Sequence, residues 1–232
     1  MKTIIAENKD FYTLAADEIA RLVSRRNDAV LALSAGRTME GLFEELARRC
    51  SAGTLSLAKV RVFAVTEYEN VPESLSCRRA ILRGLVEKTD LEEENCTFLS
   101  GENEEDYDAQ IARLGGLDLA VLGLGDNAHI GYNEPATPFD TLTHRQKLTD
   151  ATKRQNAEVF GSFEAVPDFA WTMGIKTLVS AGEILVLAAG AEKAEPAFRM
   201  LYARTDSAVP AAFLQIPLNV TVILDREAAA KI

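Results

Sequence analysis

The feature that most constrains the fold of this chain is a series of short apolar runs separated by segments of helical periodicity. The runs are TIIAE at 3–7, AVLALS at 29–34, VRVFAV at 60–65, LDLAVLGLG at 117–125, EILVLAAG at 183–190 and VTVIL at 220–224. Continuous apolar strands that alternate with amphipathic helices are typical of a parallel sheet covered on both faces. The pattern therefore predicts an α/β fold with a mainly parallel central sheet and helices on both faces.

Three of the intervening segments have the spacing of amphipathic helices. Their apolar stripes are Phe11, Leu14, Ala15, Ile19, Leu22 and Val23; then Leu42, Phe43 and Leu46 in a helix from about Thr38; and then Ile81, Leu82 and Leu85. A length of 232 residues favours one α/β domain over 1–232. Residues 136–182 are the least regular part and predict a lid or a helical excursion, and the stretch over 167–183 predicts helix plus loop.

The charge and cysteine content exclude several classes of protein. A formal charge of −10 without any basic run argues against nucleic-acid and anionic-membrane partners, so a small anionic substrate would need a local cationic pocket. The three cysteines are odd in number and lack metal-ligand spacing, which predicts reduced thiols and no metal site. No apolar run is long enough for a membrane span, and we expect a cytoplasmic protein.

Polar segments follow four of the predicted strands, namely SAGRT at 34–38, TEYEN at 66–70, GDNAH at 125–129 and GAEK at 190–193. In open α/β sheets, ligands bind outside the carboxyl ends of the strands. We therefore expect these four turns to converge on one edge of the sheet.

The turn after the fourth apolar run, LDLAVLGLG, carries His129, one of only two histidines in the chain. A lone histidine is more often a surface or structural residue, but this one follows a buried strand and a glycine-rich turn. Asn127 and Glu134 lie close enough in sequence to orient its ring, and an imidazole can move protons to and from a sugar oxygen. The other histidine, His144, lies in the polar excursion, and we expect it to be solvated.

Two turns are candidates for binding a phosphate. LSAGRT at 33–38 combines a strand end, a helix start and the side chains of Ser34, Arg37 and Thr38, although the alternative is a plain helix cap. Lys193 falls in the first turn of a predicted helix, where a cation is unfavourable unless an anion binds. GLGDNA at 123–128 is a weak dinucleotide signal, because no helix pattern follows it.

At this point the sequence resembles the glucosamine-6-phosphate deaminase family. GLGDNAHIGYNEP at 123–135 is similar to the family signature GxGxDGHIAFNEP, LALSAGRT to its phosphate loop, VFAVTEYENVP to its FxxDEYxxLP stretch, and GAEKA to its lysine-bearing turn. The order and approximate spacing match over nearly the whole chain. GGLDLAVLGLG and SAVPAAFLQI are most similar to the galactosamine-6-phosphate branch, and the related 6-phosphogluconolactonases share the fold and the glycine–histidine turn.

The resemblance implies a Rossmann-like α/β fold and a reaction without metal or cofactor. His129 would open the sugar ring, Glu134 would be its carboxylate partner, and Asn127 occupies a position that is aspartate in the family. The phosphate-binding residues implied by position are Ser34, Ala35, Gly36, Arg37, Thr38 and Lys193, and Gly125 and Ala128 would contact the substrate.

Besides Asn127, two departures from the family pattern bear on this hypothesis. Thr66 occupies the position of the aspartate that moves a proton between C2 and C1, and a hydroxyl is not a base at neutral pH without activation. We therefore predict that the adjacent Glu67 supplies the base. Glu158 falls near a phosphate-binding arginine of the family, and Arg37 is the candidate to replace that cation.

Three functions follow from the sequence. The first is an amino-sugar-6-phosphate deaminase/isomerase, and the second is a non-catalytic or altered-activity sugar-phosphate binder. The third is a hydrolase like 6-phosphogluconolactonase. In each case the partner is a small sugar phosphate, and the chain is expected to be a monomer or a small homo-oligomer.

Overall fold

The structure is a computed structural model that describes all 232 residues. Its strands are β1 (Lys2–Ala6), β2 (Val30–Leu33), β3 (Arg61–Ala64), β4 (Thr66–Tyr68), β5 (Cys96–Thr97), β6 (Leu119–Gly123), β7 (His144–Lys147), β8 (Phe169–Thr172), β9 (Glu183–Ala188) and β10 (Val220–Asp225). Its α-helices are α1 (Phe11–Arg25), α2 (Arg37–Ser51), α3 (Cys77–Gly84), α4 (Glu104–Arg113), α5 (Asp150–Phe160), α6 (Ile175–Val179) and α7 (Ala194–Tyr202). Short 3-10 turns lie at Glu73–Leu75, Val86–Lys88, Glu93–Asn95, Ala191–Lys193 and Pro210–Gln215.

Seven of the strands form one parallel sheet in the order β1-β10-β9-β6-β2-β3-β5. Each of the six predicted apolar runs contributes a strand to it, so the predicted parallel α/β fold is confirmed. Helix α1 also follows the predicted stripe, except that Leu14 is only half-buried.

The sheet separates two apolar cores, because successive side chains of a strand point to opposite faces. In β2, Val30 and Ala32 pack into one core, while Leu31 and Leu33 pack into the other. Helices α1, α2 and α3 cover the second of these cores, and α4, α6 and α7 cover the first. Burial on both faces explains why these strands are continuous apolar runs.

Residues 136–182 match the predicted helical excursion in part, since they contain α5 and α6, but they also contain two strands. They supply β7 and β8, which pair antiparallel with each other, and β8 also pairs with β4 in a separate three-stranded sheet. The expected helix plus loop is therefore wrong at Phe169–Thr172, which is a strand. His144 is not simply solvated, since it lies half-buried in β7 with Nδ1 2.9 Å from the carbonyl oxygen of Leu142.

The sequence gives little signal for this small sheet. β7 reads HRQK, which has no apolar side chain, and β4 is only three residues long. Their pairing depends on β8, which is distant in sequence from β4. No helix of the structure has both the length and the apolar character required to cross a membrane.

Candidate active site

A cavity of about 780 Å³ lies at the carboxyl edge of the parallel sheet. It is lined by residues from the four turns that were predicted to converge: Ser34–Thr38 after β2, Thr66 and Tyr68 in β4, Gly123–Gly125 and His129 after β6, and Glu192 and Lys193 after β9. We call residues 124–134 the histidine turn and residues 34–38 the phosphate turn. Both reach the same cavity.

A tight backbone loop fixes the position of His129 in the histidine turn. Gly125 N donates to the carbonyl oxygen of His129 at 3.0 Å, and Ala128 N donates to that of Gly125 at 2.9 Å. A β-carbon added to Gly125 would lie 2.3 Å from the ring atoms Cδ2 and Nε2 of His129. The imidazole can therefore occupy its place only because residue 125 has no side chain.

Glu134 is buried beside the imidazole. Its Oε2 lies 3.7 Å from Nδ1 of His129 and accepts a 2.7 Å hydrogen bond from Asn127 Nδ2. Thr149 adds two hydrogen bonds, one from its backbone N–H to Oε1 and one from its hydroxyl to Oε2. Burial alone would raise the pKa of Glu134, but the neighbouring imidazole and the hydrogen-bond donors lower it to about 2. The carboxylate is therefore ionised at neutral pH and places a negative charge beside the ring.

The imidazole has a second neighbour that the sequence did not indicate. Thr152 Oγ1 lies 3.2 Å from Nδ1 of His129, and Thr152 is 1% exposed. Thr149 is the N-cap of α5, and Thr152 lies in the first turn of that helix. The Thr149 hydroxyl accepts a hydrogen bond from the backbone N–H of Thr152. With Nδ1 next to Thr152 and Glu134, Nε2 is the ring nitrogen left for a substrate. The N-cap pattern TDAT indicates the start of a helix but not that this helix lies beside His129.

Two predicted residues of the histidine turn have other roles than expected. Asn127 does not touch the imidazole ring, because its Nδ2 donates to Glu134 and its Oδ1 accepts from the backbone N–H of His129. Ala128 does not line the cavity: it is fully buried, with φ of 66°, and its carbonyl oxygen accepts from Ala211 N. Both residues shape the turn, and neither is among the residues that line the cavity.

The structure separates Thr66 from Glu67. Thr66 lines the cavity with Oγ1 3.5 Å from Cys77 Sγ, whereas Glu67 points to the other side of β4 because neighbouring strand residues alternate. The Glu67 carboxylate accepts hydrogen bonds from its neighbour Tyr68 N and, at the start of α3, from Cys77 N and Arg78 N. This corrects the prediction that Glu67 supplies the base, since its oxygens bind backbone N–H groups outside the cavity.

The polar groups of the phosphate turn have fewer hydrogen-bond partners than those of the histidine turn. Ser34 is 7% exposed, and its hydroxyl is buried without a hydrogen-bond partner. Gly36, with φ of 115°, is the N-cap of α2, so free backbone N–H groups of this helix start lie at the cavity. Ala35 and Thr38 also line the cavity. Arg37 lines it as well, and its Nη1 lies 3.1 Å from Glu158 Oε2.

Lys193 lines the cavity on the side of β9. It ends the 3-10 turn Ala191–Lys193, which continues directly into α7 with Lys193 as the N-cap, so the predicted position at the start of a helix is confirmed. Gly190, with φ of 99°, starts this turn, and its N–H donates to Asp225 Oδ2 at 2.9 Å. Lys193 is 7% exposed, and its Nζ lies 2.5 Å from Asp126 Oδ1.

The cavity also has walls that sequence reasoning missed. Gln155 and Asn156 of α5 line one side. Arg79 and Arg83 of α3, with Lys88, line another. No cluster of three or more His, Cys, Asp or Glu side chains in the structure could hold a metal ion.

Residues 8–223 match a family profile described as glucosamine-6-phosphate isomerases/6-phosphogluconolactonase. A protein of Clostridium acetobutylicum named glucosamine-6-phosphate deaminase is 36% identical over 238 residues, which is 99% of each chain. A solved structure of a monomeric glucosamine-6-phosphate deaminase superposes with a TM-score of 0.96 at 31% identity over 100% of each chain. A 6-phosphogluconolactonase from Leishmania guyanensis, at 20% identity and a TM-score of 0.79 over 98% of this chain and 97% of its own, shares the fold.

Proposed function

This chain belongs to the glucosamine-6-phosphate isomerase/6-phosphogluconolactonase family, and we propose that it is an amino-sugar-6-phosphate deaminase/isomerase. The reaction would convert a hexosamine 6-phosphate and one water into a ketose 6-phosphate and ammonia. The names of the full-length relatives make glucosamine 6-phosphate the first substrate to test. Galactosamine 6-phosphate is the second, because two segments of the sequence resemble that branch.

The observation that carries the proposal is the placement of His129 against Glu134 in a cavity shared with the phosphate turn. We assign His129 Nε2 to ring opening, in which a proton moves from the C1 hydroxyl to the ring oxygen as the bond between C1 and that oxygen breaks. The Glu134 carboxylate stabilises the imidazolium formed during this transfer. The backbone N–H groups at the start of α2, the Ser34 hydroxyl and the Lys193 ammonium are suited to hold the 6-phosphate.

The next step moves a proton from C2 to C1, and it is where this chain departs from its family. Thr66 has a hydroxyl where the resemblance implies a carboxylate, and Glu67 is turned away from the cavity. Loss of a general base commonly costs roughly 10² to 10⁴ in rate. We therefore propose that this proton transfer limits turnover. The resulting ketimine would then add water at C2 and release ammonia.

The test is an ammonia assay with glucosamine 6-phosphate and galactosamine 6-phosphate. We expect slow release by the wild-type protein, no release by His129→Ala, and a rate increase of roughly 10²-fold in Thr66→Asp. Circular dichroism of each variant checks that the fold is retained. If neither the wild type nor Thr66→Asp releases ammonia from either sugar, the proposal is wrong.

The absence of a carboxylate at position 66 favours a second candidate, in which the cavity binds or hydrolyses a sugar phosphate without deamination. A lactone hydrolase needs only a base for water, and His129 could serve. Hydrolysis of 6-phosphogluconolactone without ammonia release from hexosamine phosphates would support this candidate. Calorimetric binding of a sugar phosphate with no turnover of either substrate would instead indicate a non-catalytic binder.

We also propose that residues 1–232 form one catalytic domain that acts in the cytoplasm as a monomer or a small homo-oligomer. A full-length relative of known structure is monomeric, which favours the monomer. Sedimentation of the purified protein tests that preference.

A further inference from the structure

The cation that we assign to the phosphate already has an anionic partner within the protein. Lys193 Nζ lies 2.5 Å from Asp126 Oδ1, and the two side chains are 9% and 37% exposed. Asp126 lies in the histidine turn, and its backbone N–H donates to Gln155 of α5 at 3.0 Å. The lysine is thus a nearly buried ammonium, and a carboxylate at contact distance keeps it paired in the absence of ligand.

This pairing places two anions close together once a ligand binds. A phosphate oxygen that contacts the same ammonium would lie about 2.8 Å from Nζ. The Asp126 carboxylate and the phosphate would then be at most roughly 5 to 6 Å apart. At that distance two negative charges repel each other measurably even in a partly solvated site.

Arg37 is another cation that lines the cavity, and it is paired more weakly. Arg37 Nη1 lies 3.1 Å from Glu158 Oε2, but the two side chains are 64% and 81% exposed. Ion pairs this exposed contribute little and rearrange readily when a competing anion arrives. Of Asp126 and Glu158, Asp126 therefore has the larger effect on a bound phosphate.

We propose that Asp126 is a specificity-determining residue that lowers the affinity of the cavity for a dianionic phosphate ester. This inference rests on the proposed binding of a sugar phosphate beside Lys193. Because the repulsion scales with the charge of the ligand, the penalty is larger for a dianion than for a monoanion. The ligand class that the carboxylate penalises least is a sugar whose terminal group carries one negative charge or none.

The test is calorimetric binding of two probes without a carbonyl group, so that turnover does not interfere. Glucitol 6-phosphate carries a dianion near neutral pH, and glucitol 6-sulfate carries a single charge. We expect Asp126→Asn to bind the phosphate roughly tenfold more tightly than the wild type and the sulfate roughly threefold more tightly. Asparagine keeps an oxygen that can accept a hydrogen bond from the Lys193 ammonium.

Asp168→Asn is the matched control, since Asp168 pairs with Lys153 at 2.6 Å, outside the cavity lining, and the substitution removes the same charge. It should leave both affinities unchanged. An equal gain in Asp168→Asn would reduce the effect to net charge and overturn the proposal. Unchanged or weaker phosphate binding by Asp126→Asn would overturn it too, and would make Asp126 a positioning residue for Lys193.

A second comparison covers the case in which Asp126→Asn leaves the buried ammonium unpaired and unfolds the protein. Lys193→Gln keeps the carboxylate, and Asp126→Asn/Lys193→Gln removes both charges. The double variant should bind glucitol 6-phosphate more tightly than Lys193→Gln does, and equal affinities would contradict direct repulsion. These measurements do not depend on turnover, so a lack of ammonia release would refute the proposed reaction and leave the role of Asp126 open to the same test.

Discussion

The histidine turn and the phosphate turn line one cavity but differ in how their polar groups are partnered. In the histidine turn, Glu134 is 2% exposed and both its oxygens accept hydrogen bonds, so its geometry is complete without a ligand. In the phosphate turn, the Ser34 hydroxyl is buried with no partner, and Arg37 is paired only with an exposed carboxylate. The difference indicates that the protein builds its proton-transfer groups in advance and leaves the phosphate turn to be completed by the ligand.

The largest effect is expected from Gly125→Ala, which tests whether the histidine turn is as rigid as its contacts indicate. The added β-carbon would lie 2.3 Å from the ring of His129, so the imidazole must move. A displacement of about 1 Å costs roughly 10² in rate, and we expect at least that loss of ammonia release.

Gly123→Ala is the control for that prediction. It adds the same methyl group to a neighbouring cavity residue, where only Met39 Cε would lie within contact, at 3.9 Å. A loss in Gly123→Ala as large as that in Gly125→Ala would contradict the steric explanation.

Glu134→Gln should lower kcat by roughly 10²-fold and leave KM nearly unchanged. The substitution removes the charge that stabilises the imidazolium, while the residue does not line the cavity and so does not contact the sugar. Steady-state kinetics separate the two parameters. A rise in KM with an unchanged kcat would place Glu134 in substrate binding instead.

The same variant has a second readout in acid. The pKa of Glu134 is lowered from 4.5 to about 2, so its carboxylate stabilises the fold above about pH 4.5, and this contribution is lost as pH falls towards 2. Between those values the urea midpoint of the wild type should fall more steeply with decreasing pH than that of Glu134→Gln. If the urea midpoints of the two proteins fell in parallel with pH, the surroundings of Glu134 would not stabilise its carboxylate over the protonated form.

A smaller effect is expected from Thr152→Val, which keeps the shape of the side chain and removes its hydroxyl. His129 Nδ1 would lose the neighbour at 3.2 Å, at a cost of about 1 kcal/mol in the free energy of unfolding. We also expect a kcat several-fold lower. Urea unfolding and kinetics measure the two losses, and an unchanged stability would show that this contact is not formed in solution.

The smallest change in stability is expected from Ser34→Ala, which tests the phosphate turn as the other variants test the histidine turn. Because the Ser34 hydroxyl has no partner, its removal should change the free energy of unfolding by no more than about 0.5 kcal/mol. KM for the phosphorylated sugar should nevertheless rise several-fold, since a hydrogen bond to the bound phosphate is lost. A clear loss of stability with an unchanged KM would reverse the contrast between the two turns.

The two sides of the cavity also differ in how far they could be predicted from the sequence. The turns after β2, β6 and β9 follow strands buried on both faces, whose apolar runs are unmistakable, and parallel topology brings their ends together. The positions of His129 and Ser34 at the cavity could be predicted for that reason. Thr149 and Thr152 were not, because α5 has only one buried residue and its sequence lacks an apolar stripe.

Glu67 shows a second kind of limit. Sequence proximity to Thr66 suggested that one carboxylate could replace another, but β4 is a strand, and adjacent strand residues face opposite ways. The strand was not predicted because its partner β8 is about a hundred residues away. The direction in which a strand residue faces depends on pairing with a distant segment, and no local sequence pattern indicates that pairing.

The strand order has a consequence for how the protein is made. β1 pairs only with β10, so residues 2–6 have no neighbour in the sheet until residues 220–225 have been synthesised. During translation the first strand must wait until β10 emerges, and β9, once it is made, has an open edge until β10 follows it. Contacts of such large sequence separation slow folding. The nascent chain would therefore complete this sheet only after residue 225 has emerged, and the strand edges exposed until then need chaperone protection.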